Sequence, residues 1–190
     1  SSVIGADIHD IAVDTYRNNH PEAYSILGDI KKINGQSKRN TDILDIIDLD
    51  SYGDESRMRK ILDRVDIKKP DVLAAGIPCQ GFSISNKKQD DEDERNYLFE
   101  EVVRAAKIAD PEVILIENVS TMKSAKDGGF VDAIHKCLDK LGYNSEHNVL
   151  NAADYGVPQK RKRLFFLATK TGDISWPEKT HDGNPVTAGE

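Results

Sequence analysis

The sequence is poor in cysteine, with only Cys79 and Cys137 among 190 residues. Two cysteines are too few for a disulfide framework or a cysteine-based zinc site, so they favour a reducing compartment. The chain also has no apolar run long enough to span a membrane, and it does not open with the charged and then apolar segments of a secretory signal. These absences predict a cytoplasmic protein without a metal.

Positive charge is not in excess either, since 33 Asp and Glu residues outnumber 26 Lys and Arg and give a formal net charge of −7. The chain as a whole is therefore not an electrostatic nucleic-acid binder, and any such contact must come from a local patch. With 38% hydrophobic residues, the composition is typical of one globular domain with its own core.

Strand and helix patterns alternate along the chain. Short apolar runs predict strands, and apolar residues spaced three and four apart predict helices. The predicted strands are 3–6, 24–27, 72–75, 113–116, 148–150 and 164–168, and the predicted helices begin near residues 10, 58, 98 and 130. The alternation predicts an α/β fold whose mostly parallel sheet is covered on both faces.

Polar residues follow several predicted strands, where such sheets bind their ligands. Asp7 and Asp29 follow the first two strands, and each is either a carboxylate that accepts hydrogen bonds from a nucleotide or a residue of a helix cap or turn. Glu117 follows the 113–116 strand and is either a proton donor or an exposed strand end.

Cys79 follows the third predicted strand, within the stretch GIPCQGFS. A thiolate is a nucleophile, and Pro78 removes one backbone donor and fixes the approach to the turn. A free cysteine is usually a small buried hydrophobe, which describes Cys137 on the apolar stripe of its helix. The loop residues Gly76 and Gly81 around Cys79 favour the nucleophile instead.

The stretch QKRKR alternates its side chains. In an extended chain, Gln159, Arg161 and Arg163 lie on one side and the two lysines on the other. Two guanidinium groups on one side can bind one anion or carbonyl group. The alternative is an ordinary solvated edge strand.

Three motifs in order resemble those of the DNA (cytosine-5)-methyltransferase family: GIPCQGFS, then IENV, then DYGVPQKRKR. The separation from Cys79 to Glu117 suits two neighbouring strands joined by a crossover helix. The resemblance runs from Asp7 to the segment WPEKTH and is weakest between residues 31 and 69. It implies a three-layer, Rossmann-like, S-adenosylmethionine-dependent methyltransferase fold, with a mostly parallel sheet and an antiparallel last strand.

The resemblance implies a role for each motif residue. Cys79 attacks C6 of a cytosine flipped out of DNA, and Glu117 engages N3 and the exocyclic amine. Arg163 lies near the cytosine O2, and Arg161 supports the pocket. The implied S-adenosylmethionine contacts are Asp7 with the ribose, Ile8, Asp29 and Ile30 with adenine, and also Pro78 and Leu98. The implied DNA-facing residues are Gln80, Ser83, Ser85, Asn118, Val119 and Gln159.

The resemblance also implies neighbouring segments. The family's glycine loop, which wraps the methionine end of the cofactor, is expected before Ser1, and the target-recognition region is expected after His181. Residues 1–190 are therefore interpreted as a single catalytic domain truncated at both ends. Other segments, or a complementary chain, are expected to supply the missing parts and to cover the edges of the sheet.

Three alternatives remain open. A split or degenerate subunit would bind DNA or a partner without turnover. A transfer RNA cytosine is the substrate of one branch of the family, although the GIPC form resembles the bacterial and archaeal DNA enzymes. A cysteine hydrolase would need a histidine beside Cys79, and the sequence places none there. For the leading interpretation, we expect double-stranded DNA as the partner, in a prokaryotic cytoplasm and a restriction-modification setting.

Overall fold

The chain forms two compact units in a computed structural model, Ser1–Lys69 and Pro70–Glu190. The structure describes residues 4–7, 9–21, 23–27, 63, 66, 68–77, 99–184, 186 and 187. The helix predicted from residue 58 lies outside these residues apart from Asp63. Within the described ranges, no helix is both long and apolar enough to cross a membrane. The single catalytic domain stays a prediction.

The first unit contains a strand, a helix and a second strand. Strand β1 (Ile4–Asp7) leads through helix α1 (Asp10–Asn19) to strand β2 (Tyr24–Leu27), and the two strands pair in parallel. Val13 is the buried residue of the helix. Helix α1 supplies the crossover connection that two parallel strands require. The strand–helix–strand order predicted for the start of the chain is therefore confirmed.

The second unit contains a four-stranded sheet. Its strands are β3 (Val72–Gly76), β4 (Val113–Val119), β5 (Asn144–Asn151) and β6 (Lys162–Thr169). Its helices are α2 (Phe99–Ala109) and α3 (Gly129–Lys140), with 3-10 segments at Ser120–Gly128 and Ala152–Tyr155. Gly142 has a φ of +82° just after α3, the left-handed conformation in which glycine commonly ends a helix.

The strand order in this sheet is β3-β4-β6-β5. Strand β3 is parallel to β4, whereas β6 is antiparallel to both of its neighbours. Strands β3, β4 and β5 therefore run in one direction and β6 in the other, which confirms the predicted antiparallel last strand. Lys162 and Arg163, the residues of QKRKR that belong to β6, lie in a strand between two others, so the edge-strand alternative is wrong for them.

Strand β4 is longer than the apolar run that predicted it. It continues to Val119 because β6 supplies antiparallel partners for Glu117, Asn118 and Val119. The prediction that Glu117 follows the strand is therefore wrong, since Glu117 and Asn118 both lie inside it. Their side chains consequently point to opposite faces of the sheet.

One face of the four-stranded sheet forms the core. Its strands contribute Ile114, Ile116, Leu164, Phe166 and Ala168, all with no exposed surface. Helices α2 and α3 pack on this face through Phe99, Val102, Ala106, Phe130, Ile134 and Leu138. Burial of each large apolar side chain stabilises the fold by about 1.5–3 kcal/mol.

A histidine pair joins α3 to β5 at the margin of this core. The Nε2 atom of His135 lies 2.9 Å from Nδ1 of His147, and Nδ1 of His135 lies 2.7 Å from the Ser145 hydroxyl. Burial lowers the pKa of both imidazoles, and His147 lowers that of His135 further. Lys123 adds to the lowering at His147, while Asp132 opposes it at both rings. The folded structure therefore favours the neutral form of both imidazoles.

We predict that the free energy of unfolding falls as the pH drops below 6.5, the ordinary pKa of both histidines. Below pH 6.5 the two histidines bind protons more readily in the unfolded chain than in the folded protein. The free energy of unfolding therefore reaches its full value, as far as these histidines are concerned, only above pH 6.5. Urea unfolding between pH 5 and pH 8 measures this slope. A variant with both His135→Gln and His147→Gln should show a shallower slope, and an unchanged slope would contradict the assignment.

Candidate active site

A pocket of about 290 Å³ opens on the face of the sheet opposite α2 and α3. Strands β4, β5 and β6, the turn after β5 and a later proline form its walls. The lining residues are Glu117, Leu150, Ala152, Tyr155, Arg161, Arg163, Phe165 and Pro177. Three of the four predicted catalytic residues, Glu117, Arg161 and Arg163, therefore meet in one cavity.

The register of β4 with β6 brings Glu117 and Arg163 together. Glu117 lies opposite Phe165, and Arg163 lies opposite Val119. Residues that are diagonal neighbours across two strands share a face and are within reach of long side chains. The Nε atom of Arg163 accordingly donates to Oε1 of Glu117 at 2.9 Å.

This ion pair is only partly buried. The Glu117 side chain is 35% exposed and the Arg163 side chain is 26% exposed. Arg163 also donates from Nη1 to the Lys162 carbonyl at 2.9 Å, which fixes the guanidinium plane. A guanidinium has five N–H donors, so further donors remain for a carbonyl oxygen of a ligand.

Gly76, at the end of β3, lies beside the Glu117 carboxylate. The two residues are partners in the parallel register of β3 and β4. A Cβ atom placed on Gly76 would lie 3.8 Å from Oε2 of Glu117. The chain therefore leaves β3, toward Cys79, from the same edge of the sheet at which Glu117 lies.

The alternation predicted for QKRKR holds for the two arginines only. Arg161 lines the pocket from just before β6, on the same side as Arg163. Gln159 lies in a turn where its N–H donates to the Val157 carbonyl at 2.7 Å, so the chain is not extended there. Gln159 is exposed and is not among the pocket residues.

Asn118 and Val119 are not among the residues that line the pocket. Asn118 is 1% exposed on the core face, where its Oδ1 accepts from the Val119 N–H at 2.7 Å. Its contact with DNA stays a prediction that this burial does not favour. Val119 is half-buried. The remaining predicted residues, Ile8, Asp29, Ile30, Pro78, Cys79, Gln80, Ser83, Ser85 and Leu98, lie outside the described residues.

Asp7 ends β1 in the first unit and is exposed. Its Oδ1 accepts the His9 N–H at 2.8 Å, one residue before α1 begins. The carboxylate thus stabilises the turn between strand and helix. A carboxylate has two oxygens that accept hydrogen bonds, so this contact leaves capacity for a hydroxyl group of a ligand.

Sequence reasoning missed several residues of the pocket wall. Tyr155 lines the pocket, and its hydroxyl donates to the carbonyl of Pro177, also a lining residue, at 3.2 Å. Tyr155 lies within the motif DYGVPQ, which was the available signal. No periodicity or spacing assigns Pro177, because its contact depends on the path of the chain after β6.

Residues 176–182, which we call the strap, run back over β5 and the turn that follows it. At one end, the Trp176 Nε1–H donates to Oε2 of Glu146 in β5 at 3.0 Å. At the other, the His181 N–H donates to the Asp154 carbonyl at 2.9 Å. Between them, Nζ of Lys179 lies 3.1 Å from Oδ2 of Asp154. The hydrogen bond from Lys179 lowers the pKa of Asp154, and Asp154 raises the pKa of Lys179.

The imidazole of His181 packs directly on Gly156. A Cβ atom at Gly156 would lie only 2.8 Å from Cε1 of His181, and Gly156 has a φ of +83°. Glycine is therefore favoured twice, once by the left-handed backbone and once by the close approach of the ring, which would have to move to admit a Cβ atom.

We predict that Gly156→Ala lowers the free energy of unfolding by at least about 1 kcal/mol more than Gly172→Ala. Gly172 has a φ of +80°, and a Cβ atom placed on it would meet nothing within 4 Å, so it shares the backbone strain of about 1–2 kcal/mol without the ring contact. Urea unfolding of both variants measures the difference. The difference should disappear in a His181→Ala background, and its persistence there would contradict the contact.

Solved structures define the class of fold. A protein described as an Escherichia coli prophage DNA modification methyltransferase is 24% identical at a TM-score of 0.68, covering 97% of this chain and 46% of its own. The S. pombe Dnmt2 methyltransferase is 23% identical at a TM-score of 0.57, covering 92% of this chain and 45% of its own. The fold is therefore the α/β, Rossmann-like fold of S-adenosylmethionine-dependent methyltransferases, as predicted.

Sequence comparison gives the family. The model for C-5 cytosine-specific DNA methylases matches residues 1–186. The chain is 34% identical to the Type II methyltransferase M1.HphI of Haemophilus parahaemolyticus, over 94% of this chain and 43% of that protein. It is 35% identical to M.Eco47II of Escherichia coli, over 93% of this chain and 37% of that protein. The chain belongs to the C-5 cytosine-specific DNA methylase family, and it spans less than half the length of these relatives.

Proposed function

We propose that the protein transfers a methyl group from S-adenosylmethionine to C5 of a cytosine in double-stranded DNA, through a covalent bond between Cys79 and C6. One observation carries the proposal: Glu117 and Arg163 form a 2.9 Å ion pair inside the pocket, at the sheet edge from which β3 leads to Cys79. Family membership supports the same reaction.

The size of the pocket suits one base. Its volume of about 290 Å³ lies just below the range for small-molecule sites, which begins near 300 Å³. A base inside a duplex is stacked and paired, so it can enter such a pocket only after rotation out of the helix. Phe165 and Tyr155 give the pocket aromatic surface against which a base can pack.

The polar groups of the pocket match the edge of a cytosine. Glu117 can accept a hydrogen bond from the exocyclic amine and, when protonated, donate one to N3. Arg163 and Arg161 carry donors for O2, the remaining acceptor on that edge. The ion pair between Glu117 and Arg163 fixes the spacing of these donors and acceptors before the base enters.

Cys79 is within reach of this pocket by chain length. It follows Gly76 by three residues, which span at most about 11 Å. Gly76 is the register partner of Glu117. The chain length therefore allows the Cys79 thiol to approach the Glu117 carboxyl group, as a reaction at C6 and N3 of one base requires.

The proposed chemistry balances at the base. The Cys79 thiolate forms a bond to C6, the C5–C6 π electrons move to C5, and a hydrogen bond from Glu117 at N3 stabilises the negative charge. S-adenosylmethionine, when bound, supplies the electrophilic methyl group that C5 accepts, leaving S-adenosylhomocysteine. Water then takes the C5 proton, the C5–C6 double bond re-forms, and the bond from C6 to Cys79 breaks.

The residues that would hold the cofactor are those proposed from the motifs. Asp7 is exposed at the end of a parallel strand and keeps acceptor capacity after its bond to His9, which suits a ribose hydroxyl. We propose that Ile8 and Ile30 contact adenine, that Asp29 accepts from its amino group, and that Pro78 and Leu98 complete the cofactor site. Gln80, Ser83 and Ser85 would contact DNA near the reacting base.

We predict that DNA containing 5-fluorocytosine and S-adenosylmethionine trap a covalent adduct with the protein. In 5-fluorocytosine, fluorine replaces the C5 proton that a base must remove before Cys79 can be eliminated. The bond from C6 to Cys79 is therefore not broken after methyl transfer. The adduct should resist denaturation on an electrophoretic gel and should not form with Cys79→Ser. Glu117→Gln should slow its formation about 10²–10⁴-fold, the usual contribution of a positioned acid.

Cys137→Ser is the matched control, because Cys137 lies on α3 against the core and not at the pocket. This variant should form the adduct at the wild-type rate. An adduct that survives Cys79→Ser would exclude Cys79 as the nucleophile. An adduct that forms with transfer RNA containing 5-fluorocytosine, and not with DNA, would identify transfer RNA as the substrate instead.

A further inference from the structure

The strap forms part of the pocket wall. Pro177 lines the pocket, and its carbonyl accepts a hydrogen bond from the hydroxyl of Tyr155, which is itself a lining residue. The hydrogen bond joins a residue of the strap to a residue of the 3-10 turn Ala152–Tyr155. A shift of the strap relative to this turn would therefore change the shape of the pocket.

The contacts that fix the strap lie on either side of Tyr155. Asp154, just before Tyr155, accepts from the His181 N–H at 2.9 Å and from Lys179 at 3.1 Å. Gly156, just after Tyr155, receives the imidazole of His181. Asp154 and Gly156 are not pocket residues, so these contacts act on the pocket through Tyr155.

The turn is also joined to one of the arginines. The Ala152 N–H donates to the carbonyl of Arg161 at 3.0 Å, so the first residue of the turn holds the backbone of a residue that lines the pocket. Asn151 donates from Nδ2 to Oδ1 of Asp154, the carboxylate oxygen that Lys179 does not contact, at 3.0 Å. Asp154 thus receives one side-chain hydrogen bond from β5 and one from the strap.

We infer that Lys179 and His181 are positioning residues of the cytosine pocket. They hold the turn in place, so that Tyr155 and Arg161 give the pocket a shape that fits one base. The inference rests on the proposed function. Neither residue lines the pocket, so each acts through Asp154, Gly156 and Tyr155. Loss of this hold would leave cofactor binding intact and would slow the step that depends on a fixed base.

The test compares Lys179→Met with Asp182→Asn in the protein with duplex DNA. Lys179 contacts two carboxylates, Asp154 at 3.1 Å and Asp182 at 3.2 Å, and only Asp154 belongs to the turn. Lys179→Met should slow single-turnover methyl transfer about five- to twentyfold, with the Kd for S-adenosylmethionine unchanged. Asp182→Asn should stay within about twofold of wild type.

Two further variants separate positioning from general damage. Lys179→Arg keeps the positive charge and should restore the rate to within about threefold of wild type. His181→Ala should reproduce the defect of Lys179→Met. In both slow variants, hydrogen exchange at the Val157 amide, which donates to the Ala152 carbonyl across the turn, should be faster than in wild type.

Three results would overturn the inference. Wild-type rates in Lys179→Met and His181→Ala, in a protein that methylates DNA, would exclude positioning and leave the proposed function intact. An equal loss of cofactor affinity, or no recovery in Lys179→Arg, would indicate general damage instead. Absence of methyl transfer from the wild-type protein would refute the proposed function itself, and the inference with it.

Discussion

The pocket depends on the antiparallel register of β4 with β6. Side chains alternate between the two faces of a sheet, so a slip of one residue would move Arg163 from the pocket to the core and bring Leu164 into its place. The register therefore specifies the buried face and the site together. On one face, Ile114, Ile116 and Phe166 exclude water. On the other, Glu117 and Arg163 meet.

Stability and chemistry are divided between these two faces. The core face buries large apolar side chains, each worth about 1.5–3 kcal/mol. An ion pair as exposed as that of Glu117 and Arg163 contributes about 1 kcal/mol or less to stability. Its contribution is geometric, since it holds a carboxylate and a guanidinium at a fixed spacing. The site can consequently be altered at these residues without unfolding the sheet.

Much of the fold was predictable from local pattern, because an apolar run marks each described strand, although the run at 148–150 covers only part of β5. The C-terminal end of β4 was not predictable, since Glu117 and Asn118 are strand residues only because β6 pairs with them. The alternation of QKRKR correctly placed Arg161 and Arg163 on one side, whereas the turn at Gln159 broke the pattern. Contacts made by chain path, such as Pro177 with Tyr155, leave no periodic signal in the sequence.

We propose that the cavity bounded by Glu117, Arg161 and Arg163 receives one cytosine rotated out of DNA. A crystal structure of the protein bound to a duplex with 5-fluorocytosine would test this proposal. We expect the base inside the cavity, with Glu117 within hydrogen-bond distance of N3 and an arginine within hydrogen-bond distance of O2. A base that stays stacked in the duplex, or that binds outside this cavity, would contradict it.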